Sequence, residues 1–151
     1  MKAILILLFI FSSALHAQRM IGPENVEEMK LEVLARINQQ RADLGLGAVV
    51  RDLGIEEIIQ EYTEKMADGE ARFGHGGFSN RCKEMRLITG GNMCGEILAW
   101  GHPNAEAVHR GWVNSPGHNS TMIQPRYTHA GLAYKMNSNG RRYWSVLFLE
   151  R

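Results

Sequence analysis

Cysteine is scarce in this chain, with two in 151 residues, and neither sign of charge dominates, with 17 Lys plus Arg against 16 Asp plus Glu. Two cysteines exclude a disulfide-framework mini-protein and a four-cysteine zinc site. A net charge of +1 gives no general attraction to nucleic acid or to anionic lipid. The chain also lacks an apolar run of the roughly 20 residues needed to span a bilayer. Its longest run, from Ala3 to Phe11, is far shorter. With 44% hydrophobic and 22% charged residues, disorder is excluded as well. Nor is there a Gly-x-Ser-x-Gly elbow, a His-Glu-x-x-His zinc helix or a Gly-x-x-x-x-Gly-Lys phosphate loop. No repeat or linker divides residues 18–151, so one globular domain is expected there.

The amino terminus reads as a signal for export. Met1-Lys2, the apolar run and Ala14-Leu15-His16-Ala17 have the positive start, hydrophobic middle and small-residue end of a signal peptide over residues 1–17. An uncleaved anchor is the alternative. The expectation is a secreted or periplasmic protein with no stable membrane span after cleavage. In such a compartment Cys82 and Cys94, twelve positions apart, are most simply a disulfide. A reactive cysteine would instead need a neighbouring His and a depressed thiol pKa.

Periodicity supplies the elements. Pro23 stands at a helix start, and Val26, Met29, Val33, Leu34, Ile37, Arg41 and Leu44 recur at three-to-four spacing until Gly45 and Gly47 stop the helix. Asp52 caps a second helix bearing Ile55, Ile58, Ile59, Tyr62 and Met66, ended by Asp68-Gly69. Residues 71–95 are rich in Gly, Asn and Ser, with one short helix over residues 81–88. Asn104 caps a helix through Ala105, Val108 and Trp112, and Ser115-Pro116 opens a brief helix to Met122. Ala130, Leu132, Tyr134 and Met136 then alternate as a strand, Asn137-Ser138-Asn139-Gly140 turns, and Tyr143 to Leu149 is almost wholly apolar. A strand apolar on both sides needs cover on both faces, which the helices can give. A three-layer α/β/α fold is therefore predicted.

Among the histidines, His16 leaves with the signal, His102 and His109 read as solvated residues of the Asn104-capped helix, and His129 opens a strand. His75 and His118 differ. Each lies in a glycine-containing segment that allows close approach, Phe73-Gly74-His75-Gly76-Gly77-Phe78 and Trp112-Val113-Asn114-Ser115-Pro116-Gly117-His118-Asn119. Ser115, before proline, is better read as a helix cap than as a nucleophile for His118.

These segments resemble the CAP superfamily, the cysteine-rich secretory, antigen 5 and pathogenesis-related proteins that share the SCP domain, in its short bacterial form. Trp112-x-x-Ser115-Pro116-Gly117-His118-Asn119 followed by Met122 resembles the family signature. Cys94-Gly95-Glu96-Ile97-Leu98-Ala99-Trp100 and Phe73-Gly74-His75 are similar to two further segments. So are Tyr127-Thr128-His129-Ala130-Gly131-Leu132-Ala133 and Tyr143-Trp144-Ser145-Val146-Leu147-Phe148. The matches run in order over roughly residues 25–149. The resemblance implies an α/β/α sandwich with a mainly antiparallel central sheet and a cleft in which two histidines hold a metal, often zinc, beside two glutamates.

Residue by residue, the resemblance places the metal-binding histidines on His75 and His118 and the first glutamate on Glu96. The second glutamate falls on Ser115 and is missing. Glu106, nine residues earlier and about 900° round the helix, faces the opposite side, and nothing in the sequence positions Glu84. The expected function is a monomeric binding module for a lipid, glycan or peptide, with weakly bound zinc. The alternative is a zinc-dependent, peptidase-like hydrolase with Glu96 as general base.

Overall fold

The computed structural model describes residues 25–151. The signal peptide over residues 1–17 and the helix start at Pro23 lie outside the described residues. Helix α1 is Val26–Asp43, opened by Asn25, whose side chain accepts from the Glu28 amide. A two-residue strand β1, Val50–Arg51, leads to α2, Leu53–Ala67, with Asp52 accepting from Gly54 and Ile55 as its cap. There follow α3 (Phe78–Thr89), β2 (Cys94–Trp100), α4 (Ala105–Val113), α5 (Pro116–Met122), β3 (His129–Met136) and β4 (Arg142–Leu149).

The four strands form one sheet in the order β1-β3-β4-β2. β4 pairs antiparallel with both β2 and β3, while β1 pairs parallel with β3, so the sheet is mixed. The short parallel strand is the one departure from an antiparallel sheet, and it was not legible as a strand because two residues carry no period.

Alternation along the strands builds two cores. Trp144, Val146 and Phe148 of β4 meet Val33 and Ile37 of α1 and Val108 and Trp112 of α4 on one face. Tyr143, Leu147 and Leu149 meet Ile55, Ile59 and Met66 of α2 and Met85 of α3 on the other. The three-layer arrangement follows: α1, α4 and α5, then the sheet, then α2 and α3.

Strand β2 carries no clean alternation in its sequence because both of its faces are covered, Ile97 and Ala99 by the first core and Leu98 by the second. It lies at a sheet edge. The indole of Trp112 donates to the Leu98 carbonyl at 3.3 Å and so joins α4 to that edge. Helix α3 is longer at both ends than its sequence indicates, because packing of Cys82 and Met85 outweighs a composition poor in helix-favouring apolar spacing.

Cys82 and Cys94 form a disulfide between α3 and β2, with Cα atoms 6.1 Å apart, and among the described residues no cysteine is free. Closing a loop of this size contributes about 3 kcal/mol in the chain-entropy treatment. We expect Cys82→Ser/Cys94→Ser to lower unfolding stability by about that amount, read from the denaturant midpoint at unchanged slope.

Candidate functional site

Glu96 points from β2 toward α2 and α3, and its side chain is 1% exposed. A buried carboxylate needs partners on both oxygens. Arg81 of α3 supplies them as a bidentate fork, Nε donating to Oε2 at 2.8 Å and Nη2 to Oε1 at 2.9 Å. The Arg81 side chain is itself 9% exposed. Its Cζ stacks 3.5 Å from the ring centroid of Tyr62 on α2, and its Nη1 donates to the Gly76 carbonyl at 2.8 Å. Tyr62 in turn donates its hydroxyl hydrogen to the Gly74 carbonyl. The segment carrying His75 is thus held on either side of the histidine. Gly77 ends it at φ 73°, a conformation natural to glycine, and starts α3.

His75 completes the group. Its Nδ1 lies 2.9 Å from Glu96 Oε1. A carboxylate accepts, so Nδ1 carries the hydrogen and Nε2 is left for solvent or a ligand. The His75 side chain is 54% exposed.

His118 arrives from the other helical layer. Gly95, next to Glu96, permits this: a Cβ there would come within 2.3 Å of the Tyr127 hydroxyl and 2.9 Å of Thr121 on α5. The buried Arg41 of α1 fixes the far end of α5 by donating to the carbonyls of Met122, Gln124 and Tyr127 at 2.8–3.0 Å. Gln40 of α1 donates to Asn119, the residue after His118, at 2.7 Å. Burial pushes the His118 imidazole below its ordinary pKa, and the nearby His75 pushes the same way. His75 and His118 thus approach the β2 edge from opposite layers.

The structure brings His75 to Glu96 and adds Arg81, which sequence reasoning missed, while His118 lies on α5, which packs against β2. The available signal was weak, an arginine on a short helix near a Gly-rich loop. Glu106 bonds to Arg110 at 3.2 Å on the exposed side of α4. Glu84 rims a groove of about 200 Å³ between α2 and α3 that Arg81 also lines. Ser115 sits at the start of α5, but its side chain makes no capping bond.

His102 and His109 are not solvated as expected. Both are partly buried, and burial pushes both pKa values down. His102 packs against Gly111, where a Cβ would lie 2.8 Å from its ring, and His109 Nε2 lies 3.0 Å from Gln40 Oε1.

The donor set fits zinc only through its imidazoles. Among the described residues no three His, Cys, Asp or Glu side chains converge as a ready ligand cluster. Glu96 is turned to Arg81 and His75, which is the position of a carboxylate orienting a ligating histidine rather than of a ligand. Two imidazoles remain as donors.

The chain is a three-layer α/β/α domain with an arginine-locked glutamate bonded to a histidine. The chain belongs to the cysteine-rich secretory protein family, CAP, whose sequence profile matches residues 34–148. It is similar to an outer surface protein from Borrelia burgdorferi, 27% identical, covering 87% of this chain and 96% of that one at a TM-score of 0.71. The fold is shared with an extracellular SCP-domain protein from Bacillus anthracis, 21% identical, covering 87% of this chain and 45% of that one at a TM-score of 0.68. A Bacillus subtilis relative, the uncharacterized membrane protein YlbC, is 26% identical over 125 residues, 80% of this chain and 34% of its own length. The chain thus spans about a third of that curated relative.

Burial of these groups sets how the protein responds to mutation and to pH. Arg81→Met should cost about 3–5 kcal/mol by leaving Glu96 buried and unpaired, and Arg81→Met/Glu96→Leu should regain most of it; chemical unfolding of both variants checks this. His102, His109 and His118 each have a folded pKa below the unfolded value, so the unfolded chain binds more protons in that range. Stability is then full above about pH 6.5 and falls as pH drops further, which thermal unfolding across about pH 5 to 8 would record. Replacing His109 with Gln should flatten the slope.

Proposed function

We propose that this chain is an extracellular binding module that takes its ligand at the cleft formed by His75, Glu96 and His118. One observation carries the reading: Glu96, fixed by Arg81, holds Nδ1 of His75 and so leaves Nε2 uncommitted, while α5 with His118 packs against the same strand. Export is supported by the signal-like residues 1–17, by the disulfide and by relatives described as outer-surface or extracellular. Among the described residues no helix is long and apolar enough to cross a membrane.

The ligand is a lipid, glycan or peptide, and zinc binds weakly and reversibly through Nε2 of His75 and the imidazole of His118, with open positions for water. When bound, the ion would supply a Lewis-acidic pole for an oxygen of the ligand. The protein's own part is to orient His75 through Glu96 and to keep His118 neutral by burial. Glu96 has no oxygen free of Arg81 or His75, which favours binding over hydrolysis with Glu96 as general base.

Calorimetric titration with zinc at neutral pH should show weak binding that is abolished in His118→Ala. In Glu96→Gln it should fall about ten- to a hundredfold. Binding should fade below about pH 6.5 as the imidazoles protonate. Equal zinc uptake by wild type and His118→Ala would overturn the reading.

A further inference from the structure

At the far end of β2 from the disulfide lies a second surface, formed by side chains other than those of the proposed ligand site. Trp100 is 45% exposed and Phe73 is 37% exposed, whereas Trp112 and Trp144 are buried. The Phe73 and Trp100 rings lie 5.6 Å apart, and each lies 6.3 Å from the ring of Tyr143, which floors the cluster. Register explains the row: Tyr143 is the cross-strand partner of Trp100 on one side and of Lys135 on the other. Two strand spacings make this row about 10 Å long, the length of a short run of sugar rings.

One cation covers a ring, and two more adjoin the cluster in register and in sequence. The Arg141 guanidinium lies 3.9 Å from the Trp100 ring centroid. That side chain, Lys135 and the exposed Arg72 beside Phe73 make no ion pair or side-chain hydrogen bond among the described residues. Glu70, the carboxylate nearest in sequence, lies in the field of Lys65 instead. Stacking orients Arg141 with its N–H donors unspent, a cost in rotamer entropy already met before any ligand arrives.

The chemistry of the surface separates three kinds of occupant. Peptide strand addition needs the outward groups of β2, yet the Leu98 carbonyl in mid-strand already accepts from Trp112. Insertion into lipid needs projecting rings, and these lie against one another and under Arg141. A sugar ring offers a flat C–H face to an aromatic ring and, when it carries a carboxylate, an acceptor pair for a guanidinium fork. We propose that Phe73, Trp100 and Arg141, with Lys135 and Arg72 at the rim, bind an acidic polysaccharide.

Trp100 is the exposed tryptophan of three, so intrinsic fluorescence of the mature chain reports on this surface directly. Titration with polygalacturonate at low salt should give a saturable change in emission that weakens as salt is raised. Neutral dextran should give none. Arg141→Gln should weaken binding about tenfold or more, as loss of a hydrogen bond to a charged group does. Phe73→Leu should weaken it with the fold intact by circular dichroism. The proposal is overturned by no saturable change with polygalacturonate, by equal binding of dextran, by unchanged affinity in Arg141→Gln, or by a response only to anionic phospholipid vesicles.

Discussion

The pair between Arg81 and Glu96 is the constraint on which the site depends. Both groups are almost wholly out of water, and an ion pair in that position is stable only when its remaining hydrogen-bonding groups are also satisfied. That requirement reaches outward in three directions. Arg81 spends one further donor on the Gly76 carbonyl and its flat face on Tyr62, while Glu96 spends its remaining acceptor capacity on His75. The loop, the histidine tautomer and the seating of α3 against β2 are therefore consequences of one desolvated pair. The disulfide lies one residue from Arg81 and two from Glu96, a second cross-link between the same elements.

A matching constraint acts in the opposite layer. Arg41 is fully buried with no carboxylate paired to it among the described residues, and burial lowers its pKa. Its charge is met by backbone carbonyls, of Gly47, of Met122 at the end of α5 and of Gln124 and Tyr127 after it. The chain around Met122 to Tyr127 cannot move away without leaving that guanidinium unpaired. In this way α1 determines where α5, and hence His118, approaches the edge of β2. Two helical layers thus meet the edge of β2, each pinned by its own buried arginine.

Much of the fold was legible because most elements bury a single stripe or face. Helices α1, α2 and α4 declare themselves by three-to-four spacing, α2 and α4 also by their Asp52 and Asn104 caps, and β3 by the alternation of Ala130, Leu132, Tyr134 and Met136, although its other face is buried as well. Strand β4 was legible for the opposite reason, since an unbroken apolar run demands cover on both sides. Strand β2 is covered on both sides too, but Gly95 and Glu96 interrupt its run with one residue for close approach and one for the ion pair. Strand β1 is too short to have a period. His102 and His109 looked like surface residues because they stand at the start and on the body of one helix, whereas His109 faces α1 and His102 folds back onto Gly111.

By itself the sequence determined the periodicities, the caps and the ordered segments that resemble one family, because each of these is local or a pattern of local features. It named His75, Glu96 and His118 as partners through that resemblance. Only the tertiary structure decided that Glu96 is spent on Arg81 and His75, that Ser115 leaves its hydroxyl out of the cap, and that Phe73 meets Trp100 beneath Arg141. Each of those outcomes turns on which side chains converge from separate elements, and convergence is set by packing across layers, where the spacing of residues along the chain carries no information.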